Sequence, residues 1–424
     1  MKYLFAILIL SQFTINMVFA QSTKQEMFDI PEKTGGVYYA YPSKDIIPQT
    51  DPLKGYKPFY ISHFGRHGSR YLIGDNDYKW VLDVLKSASE QKALTPLGIG
   101  VYERLIKVWA EAEGHGGDLS PLGVRQQRGI AERMYKNYPE VFKDSVKISA
   151  RSTIVVRCIL TMDAFCERLK EFNPTLQVNR ESSNKYMKYL NFHTKEAVAF
   201  RSEKDTWKKN LESFQQEHVK PNRLVASLFT DSAFVNKQVN KESLMWGFYW
   251  IASDMQDMET KVSFYDLFEK QELFDLWQCI NAGEYINNAN NSFNGKIMLG
   301  NAKPVLDNII TTANDLIAAS KNGATFRFAH DGNMMPLLAI LNLEGCNGDT
   351  DSIANIYKVW SNYKIAPMAG NVQMIFYRKP KSDDVIVKFL LNEIEKTIPD
   401  LKSDILPYYH WKDVESYYKN ILNR

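Results

Sequence analysis

The segment KPFYISHF, at residues 57–64, restricts the fold of this chain more than any other feature. It is a short apolar run, rich in β-forming residues and followed by a glycine, which predicts a buried strand. Helical patterns follow it, and further strand-like runs occur at 145–149, 325–329, 371–377 and 384–391. Because strands alternate with helices along the chain, we expect an α/β sheet with helices covering its faces.

Helical periodicity accompanies these strands. It covers about 95–113, 120–138 and 152–171, and the first two patterns begin with a hydroxyl residue followed by proline, which is typical of a helix start. From about 181 to 300 the texture changes, and aromatic and polar residues alternate with helical spacing. This change predicts a mostly helical insertion at 181–300.

Residues 1–20 are expected to be a targeting segment and not part of the fold. Lys2 gives a positive start, an apolar stretch follows at 3–10, and residues 18–20 form a small-residue cleavage pattern. This arrangement predicts a secretory signal peptide and export to the periplasm or the medium. A membrane anchor is the alternative, but polar residues from Ser11 onward break the run short of the ~20 apolar residues that a span requires. No later stretch predicts contact with a membrane after cleavage.

The rest of the chain fits one interrupted domain better than two domains in series. Residues 21–180 and 301–424 would form the α/β domain around the insertion. Lys and Arg number 52 against 49 Asp and Glu, which gives a formal charge of +3. Such an even balance argues against nucleic acid or an anionic membrane as a partner. An anion site would therefore have to concentrate basic residues at one place.

The four cysteines give no metal motif. Cys158 and Cys166 lie eight positions apart in a predicted helix, roughly 12 Å at 1.5 Å per residue, which is too far for a disulfide. Cys279 and Cys346 could pair or could be buried thiols, and the sequence leaves both possibilities open. No cysteine or histidine pair has the spacing of a zinc site, so no metal is expected.

The residues HFGRHGSRY, at 63–71, place Arg66, His67 and Arg70 directly after the first strand. In open α/β folds, ligands bind beyond the carboxyl ends of the strands. Two guanidinium groups lower the pKa of a neighbouring histidine by like-charge repulsion and favour its neutral, nucleophilic form. The same arginines are suited to bidentate contact with phosphate oxygens. The alternative for this segment alone is a basic surface turn.

Two further segments reduce the weight of that alternative. Arg151 and Arg157 follow the second strand, and His330-Asp331 follows a later one. If the sheet brings these strand ends together, one pocket would hold two histidines, a carboxyl group and three or four arginines. Such a pocket favours a dianion such as phosphate, although His330-Asp331 taken alone could be an ordinary turn.

Together these segments resemble the histidine acid phosphatase branch of the histidine phosphatase superfamily. RHGSR matches the family's R-H-G-x-R signature, and His330-Asp331 matches its second His-Asp pair. RSTIVVR resembles the segment that supplies a further phosphate-binding arginine, which aligns with Arg157. LTPLG at 94–98 and LSPLG at 119–123 both resemble the family's L-T-x-x-G helix start, and only one can be its equivalent.

The resemblance implies a three-layer α/β/α fold of the phosphoglycerate-mutase type with a helical cap. It implies that His67 is the nucleophile, that Asp331 is the proton donor and that His330 is a further catalytic residue. The residues expected to bind the substrate phosphate are Arg66, Arg70, Arg157 and Arg151. The scheme requires no metal and no cofactor.

Within the family, the chain is most similar to the multiple inositol polyphosphate phosphatase group, because YMKYLN at 186–191 resembles that group's L-R-F-Y-D stretch. That group usually has His-Ala-Glu where this chain has His330-Asp331-Gly332, the form typical of other acid phosphatases and many phytases. We therefore expect a monomeric, exported phosphomonoesterase for a small phosphorylated substrate, with inositol polyphosphates such as phytate favoured. The alternatives are a broad acid phosphatase for sugar phosphates or nucleotides and a non-catalytic phosphate-ester-binding protein.

Overall fold

An eight-stranded mixed sheet lies at the centre of the protein. The computed structural model describes residues 23–42, 47–203 and 207–424, so the predicted signal peptide lies outside the described residues. The strands are β1 Lys57–Arg66, β2 Lys147–Ser152, β3 Gln177–Ser182, β4 Gly323–Ala329, β5 Asn371–Arg378, β6 Val385–Leu391, β7 Ile394–Lys396 and β8 Tyr408–His410.

The order of the strands brings the predicted site segments together. The sheet runs β3-β2-β4-β1-β5-β6-β7, and β8 pairs with β6. Strands β3, β2, β4 and β1 are parallel, whereas β5, β6, β7 and β8 pair antiparallel. Arg66 at the end of β1 lies opposite Ala329 of β4, and Ser152 of β2 lies opposite Phe328. The carboxyl ends of β1, β2 and β4 therefore meet at one edge of the sheet.

Side chains alternate between two faces of the sheet, and helices cover both. On one face, Ile61 belongs to a core shared with the helices Pro121–Asn137 and Val156–Phe172. On the other face, Phe64 belongs to a core that includes the helix Lys303–Ala318. Each fully buried side chain of this kind contributes about 1.5–3 kcal/mol. The predicted α/β fold is confirmed, with helices in a layer on either side of the sheet.

Helices make up most of the remaining structure. Those outside the stretch between β3 and β4 are Asn76–Glu90, Pro96–Ala112, Pro121–Asn137, Val156–Phe172, Asp331–Leu341, Ile356–Val359, Asn362–Ile365 and Trp411–Leu422. Those between β3 and β4 are Asn184–Leu190, Lys195–Ser202, Trp207–His218, Asn222–Leu228, Ser232–Gln238, Lys241–Asp254, Lys270–Asn288 and Lys303–Ala318. In the described ranges, no helix is long and apolar enough to cross a membrane.

The described residues from 184 to 302, here called the helical segment, contain helices and loops but no strand. The insertion predicted at 181–300 spans nearly the same residues. Its first two residues, 181 and 182, belong to the end of β3. The helical segment packs against the α/β layers through a large shared core that includes Tyr249 and Tyr285.

The four cysteines and His63 are all buried in the described structure. All four cysteines are buried and free, so Cys279 and Cys346 are not paired. His63 of β1 is also buried, and its ring packs 5.1 Å from that of Phe165 and 5.4 Å from that of Phe328. Burial, with a smaller effect of Arg327, lowers the pKa of His63 to about 3. It is a neutral core residue outside the predicted site.

Candidate active site

The RHGSR loop, residues 66–70, leaves the end of β1 and is held on both sides by backbone hydrogen bonds. The N–H of His67 donates to Ala329 O of the neighbouring strand at 3.0 Å, and the N–H of Ala369 donates to His67 O at 2.9 Å. Arg66 N donates to Gly370 O at 2.8 Å. The candidate nucleophile is therefore fixed where β1, β4 and the start of β5 meet.

The helix Pro121–Asn137 packs tightly behind this loop. Ser120 caps the helix and its N–H donates to Ser69 O at 2.9 Å. A Cβ on Gly68 would lie 2.5 Å from Gly123 O, so only glycine permits this approach. LSPLG at 119–123 is thus the helix start that contacts the loop, whereas Gly98 of LTPLG contacts Leu228 in the helical segment.

The imidazole of His67 has a defined tautomer. Its Nδ1 lies 2.9 Å from Gly68 O, and a carbonyl can only accept, so Nδ1 carries the proton and Nε2 keeps its lone pair. Burial, followed by the charges of Arg66, Arg70 and Arg157, lowers the pKa of His67 well below its ordinary value. The ring is therefore neutral, which is the form that attacks phosphorus.

Arg66, which precedes this histidine in the chain, is fully buried. Its Nη1 donates to Ala366 O at 2.9 Å and to Val37 O. Its Nη2 lies 2.8 Å from Oδ2 of Asp331. The ion pair thus joins the signature arginine directly to the candidate proton donor.

Arg70 is held by an aromatic residue that the motifs did not indicate. Its guanidinium lies 4.7 Å from the ring centre of Tyr38, and Nη2 donates to the Tyr38 hydroxyl at 3.0 Å. Its Nη1 donates to Tyr71 O at 2.7 Å. These contacts restrict the arginine to one orientation.

Arg157 lies at the start of the helix Val156–Phe172 and contacts a glycine-rich loop. Its Nη1 donates to Gly117 O at 3.3 Å. The carboxylate of Asp75 accepts from Gly114 N and Gly116 N, each at 2.9 Å, and so shapes that loop. Burial and the charge of Arg70 lower the pKa of Arg157, so this partly buried cation lies among like charges.

Three of the predicted arginines have unused buried donors. Within the described part of the chain, the Nε atoms of Arg66, Arg70 and Arg157 are buried and have no hydrogen-bond acceptor. Buried donors are nearly always paired in folded proteins. Because the charges of all three act on His67, the arrangement is suited to an anion with several oxygens.

His330 and Asp331 follow β4 and begin the helix Asp331–Leu341. The rings of His67 and His330 are 5.6 Å apart, and Thr153 Oγ1 lies 3.2 Å from His330 Nε2. Burial, then the charge of Arg157, lowers the pKa of His330 to about 4.

The carboxyl group of Asp331 is subject to opposing effects. Burial would raise its pKa, but the charge of Arg66 and the N–H of Gly332, which donates to Oδ1 at 2.8 Å, outweigh it. The pKa of Asp331 is therefore lowered, and this group is a carboxylate in the ligand-free protein.

Arg151 has a different environment from the other predicted arginines. It forms an ion pair with Glu181, donates to Asn179 O at 3.2 Å and lies 5.0 Å from the ring centre of Tyr186. None of its contacts in the described residues is with His67 or Asp331. The predicted role of Arg151 in phosphate binding stays a prediction.

Sequence reasoning missed four acidic or phenolic residues near this site. Tyr38 supports Arg70, Asp254 and Asp257 of the helical segment lie close to the signature arginines, and Glu284 lies close to Asp331. Each is a single residue far from any motif. No local pattern could have identified them, because their proximity arises only from the tertiary fold.

The fold and the site define a histidine phosphatase. The family model of the histidine phosphatase superfamily (branch 2) matches residues 65–392, most of the chain. The chain belongs to this family, and by class it is a phosphoric monoester hydrolase. Comparison with curated proteins finds no significant relative.

Solved structures share the fold at low sequence identity. The multiple inositol polyphosphate phosphatase of Bifidobacterium longum, in complex with inositol hexasulfate, is 19% identical with a TM-score of 0.74, over 91% of this chain and 97% of its own. The phytase from D. castellii is 14% identical with a TM-score of 0.64, over 92% and 84%. The phytase from Citrobacter braakii is 12% identical with a TM-score of 0.54, over 87% and 98%.

Proposed function

We propose that this protein hydrolyses inositol polyphosphates, phytate included, through a phosphohistidine formed on His67. The observation that carries the proposal is the set of unused buried donors of Arg66, Arg70 and Arg157 around a neutral histidine. A phosphate monoester, which carries a charge near −2 at neutral pH, matches such a set. The similarity to an inositol polyphosphate phosphatase and to phytases supports the choice of substrate.

The reaction begins with binding of the substrate phosphate by the three arginines. They neutralise its non-bridging oxygens and hold phosphorus in line with Nε2 of His67. The P–O bond to the leaving alcohol breaks as the N–P bond forms. Asp331, which first gains a proton in the complex with the substrate, gives that proton to the leaving oxygen. Asp331 then takes a proton from water, which attacks phosphorus, releases phosphate and restores His67. His330 donates to the phosphoryl group during both steps.

We also propose that the mature protein is an exported monomer. The export part of the proposal depends on the signal-like pattern of residues 1–20, which lie outside the described residues. Fractionation of cells that express the full chain, with N-terminal sequencing and gel filtration of the product, tests it. Retention of the uncleaved chain in the cytoplasm would contradict export.

The mechanism is tested by phosphate release from phytate, glucose 1-phosphate and an aryl phosphate. His67→Ala should abolish turnover of all three. Asp331→Asn should retain phosphate binding and lose about 10²–10⁴-fold in kcat on the alkyl esters, because their leaving groups need a proton. Residual hydrolysis by a correctly folded His67→Ala protein would overturn the mechanism. A strong preference for phytate supports the substrate, and equal rates on the two alkyl esters would favour a broad acid phosphatase.

A further inference from the structure

Glu284 is a carboxyl group of the helical segment that no step above uses. It lies in the helix Lys270–Asn288, which packs against the helix Asp331–Leu341 that carries the proton donor. The side chain is partly buried. Its Oε1 makes no hydrogen bond within the described ranges and is not among the fully enclosed atoms. Oε1 of Glu284 is therefore accessible to solvent.

Asn288 places this carboxyl group beside the helix Asp331–Leu341, here called the catalytic helix. Its Nδ2 donates to Oε2 of Glu284 at 2.7 Å, and its Oδ1 accepts from Nη2 of Arg201 at 2.8 Å. The same Oδ1 lies 3.8 Å from the position that a Cβ on Gly332 would occupy. Asn288 thus lies between Glu284 and the first turn of the helix that begins at Asp331.

Three charged groups act on Glu284 from the elements around it. They are Asp331 of the catalytic helix, Arg66 of β1 and Arg201 of the helix Lys195–Ser202. His193 lies behind Arg201, with its Nδ1 3.2 Å from Nη1. Burial and the negative charge of Asp331 raise the pKa of Glu284 to about 7.

The two carboxyl groups therefore have unequal affinities for a proton. Asp331, paired with Arg66, is ionised in the ligand-free protein, as shown above. Among the described residues, the hydrogen-bond partner of Glu284 is the amide of Asn288 and not an arginine, and Glu284 stays protonated in acidic solution. When the environments of two carboxyl groups give them different pKa values in this way, one commonly acts as the acid and the other as the base.

We propose that Glu284 is a positioning residue that holds the proton which Asp331 later delivers to the leaving group. The inference rests on the proposed function, because it needs Asp331 as general acid. When a phosphate dianion binds, Arg66 interacts with the phosphate oxygens. Arg66 then stabilises the ionised form of Asp331 less than it does in the ligand-free protein. Asp331 then becomes the stronger base of the two.

The proton transfers balance over one turnover. The proton of Glu284 passes through water to Asp331, and Asp331 gives it to the ester oxygen as the P–O bond breaks. In the second half, Asp331 accepts a proton from the attacking water, whose oxygen binds phosphorus as the N–P bond breaks. That proton returns through water to Glu284, so both carboxyl groups regain their starting states.

The test is Glu284→Gln, with kcat measured against pH on glucose 1-phosphate and on p-nitrophenyl phosphate. Gln is close in shape and can still accept from Asn288. On the alkyl ester, kcat should fall about 10-fold near pH 7 and little near pH 4, where the solvent itself can supply the proton to Asp331 in the substrate complex. The alkaline limb of the profile should shift to lower pH. The aryl ester should change by less than about 3-fold, because its leaving group needs little protonation.

Three controls separate this role from damage to the fold. Glu217→Gln, at an exposed position of the helix Trp207–His218, should leave both profiles unchanged. Glu284→Asp keeps a titrating carboxyl group and should restore part of the alkaline activity. In Asp331→Asn, the addition of Glu284→Gln should cause no further loss on the alkyl ester, because Glu284 acts through Asp331.

An equal loss on both esters at every pH, or an unchanged pH profile, would overturn the inference. Failure of the proposed function gives a different result. In that case His67→Ala would retain activity, or Asp331→Asn would not distinguish the alkyl ester from the aryl ester. The two failures are therefore distinguishable in the same set of assays.

Discussion

At the scale of single residues, two arginines near the end of β2 have contrasting environments. Arg157 contacts a backbone carbonyl, keeps a buried unpaired Nε and lies among positive charges. Arg151 has a carboxylate partner in Glu181 and an aromatic ring beneath it. Of the two arginines, only Arg157 has a fully buried donor without an acceptor in the described part of the chain. The sequence places both beside the same strand end and cannot distinguish them, because the difference depends on which way each side chain points.

We therefore expect Arg157→Ala to impair catalysis much more than Arg151→Ala does. Loss of one charged hydrogen-bond donor costs about 1.5–3 kcal/mol, which is roughly a 10- to 100-fold fall in kcat/KM. Arg151→Ala should change kcat/KM by less than about 3-fold, since Arg151 is already paired with Glu181, whose side chain is 41% exposed, and partly exposed ion pairs contribute little. The measurement is kcat/KM on p-nitrophenyl phosphate. Equal losses in the two variants would show that Arg151 also reaches the phosphate.

At the scale of elements, two helices with the same kind of start have different tasks. Thr95 and Ser120 each cap a helix that begins with proline, and each is followed by a glycine in tight contact with backbone. A Cβ on Gly98 would lie 2.2 Å from Leu228 O, and a Cβ on Gly123 would lie 2.2 Å from Ser69 O. The first contact is with the helical segment and the second is with the RHGSR loop.

Gly98→Ala and Gly123→Ala form a matched pair for this reason. Both should destabilise the fold by about 1–3 kcal/mol, because a methyl group is forced against a carbonyl oxygen. Only Gly123→Ala should also displace the loop that carries His67 and Arg70. We expect its KM for an aryl phosphate to rise about 10-fold or more, since a small displacement of the binding groups is costly. Thermal unfolding and steady-state kinetics on both variants provide the comparison, and a similar rise in KM for Gly98→Ala would contradict it.

Across the whole fold, the strands, helices and site residues that the sequence predicts are those with a local signal in the chain. Apolar runs predict β1, β4, β5 and β6, and the short run SVKIS predicts β2. The two capped helices begin where the hydroxyl-proline pairs predict. Strand β3 was not predicted because it is a largely exposed edge strand with polar residues, and β7 and β8 have three residues each. His67, His330 and the signature arginines lie within motifs, so the sequence alone predicts them as site residues.

The part that sequence could not predict is how the helical segment supports the signature loop. Ser69 Oγ donates to Oδ1 of Asp257 at 2.5 Å, and the hydroxyl of Tyr78 donates to Oδ2 of Asp254 at 2.5 Å. These partners are 188 and 176 residues apart in sequence. Both carboxyl groups are fully buried. Such contacts have no periodicity and no motif, because folding alone brings them together.

This buried acid pair should make stability depend on pH. Burial is the main cause that raises the pKa of Asp254 to about 7, and burial with the charge of Asp254 raises the pKa of Asp257 well above its ordinary range. An unfolded aspartate titrates near ~3.9. Between about pH 4 and 7 the folded state therefore keeps a proton on Asp254 that the unfolded state has lost. The contribution of Asp254 to the free energy of unfolding is fully present below pH 4. It falls as pH rises from 4 to 7, by up to about 1.4 kcal/mol for each pH unit.

Asp254→Asn should remove this component, since an amide does not titrate and its oxygen can still accept from Tyr78. Over pH 4 to 7, the Tm of the variant should fall less than that of the parent protein, and the two curves should converge toward the acidic end. Asp315→Asn, at an exposed position of the helix Lys303–Ala318, is the control and should follow the parent curve. If the Tm of Asp254→Asn declines as steeply as that of the parent, then Asp254 is ionised in the folded state. In that case the carboxylate of Asp254, together with that of Asp331, would balance the charges of Arg66 and Arg70.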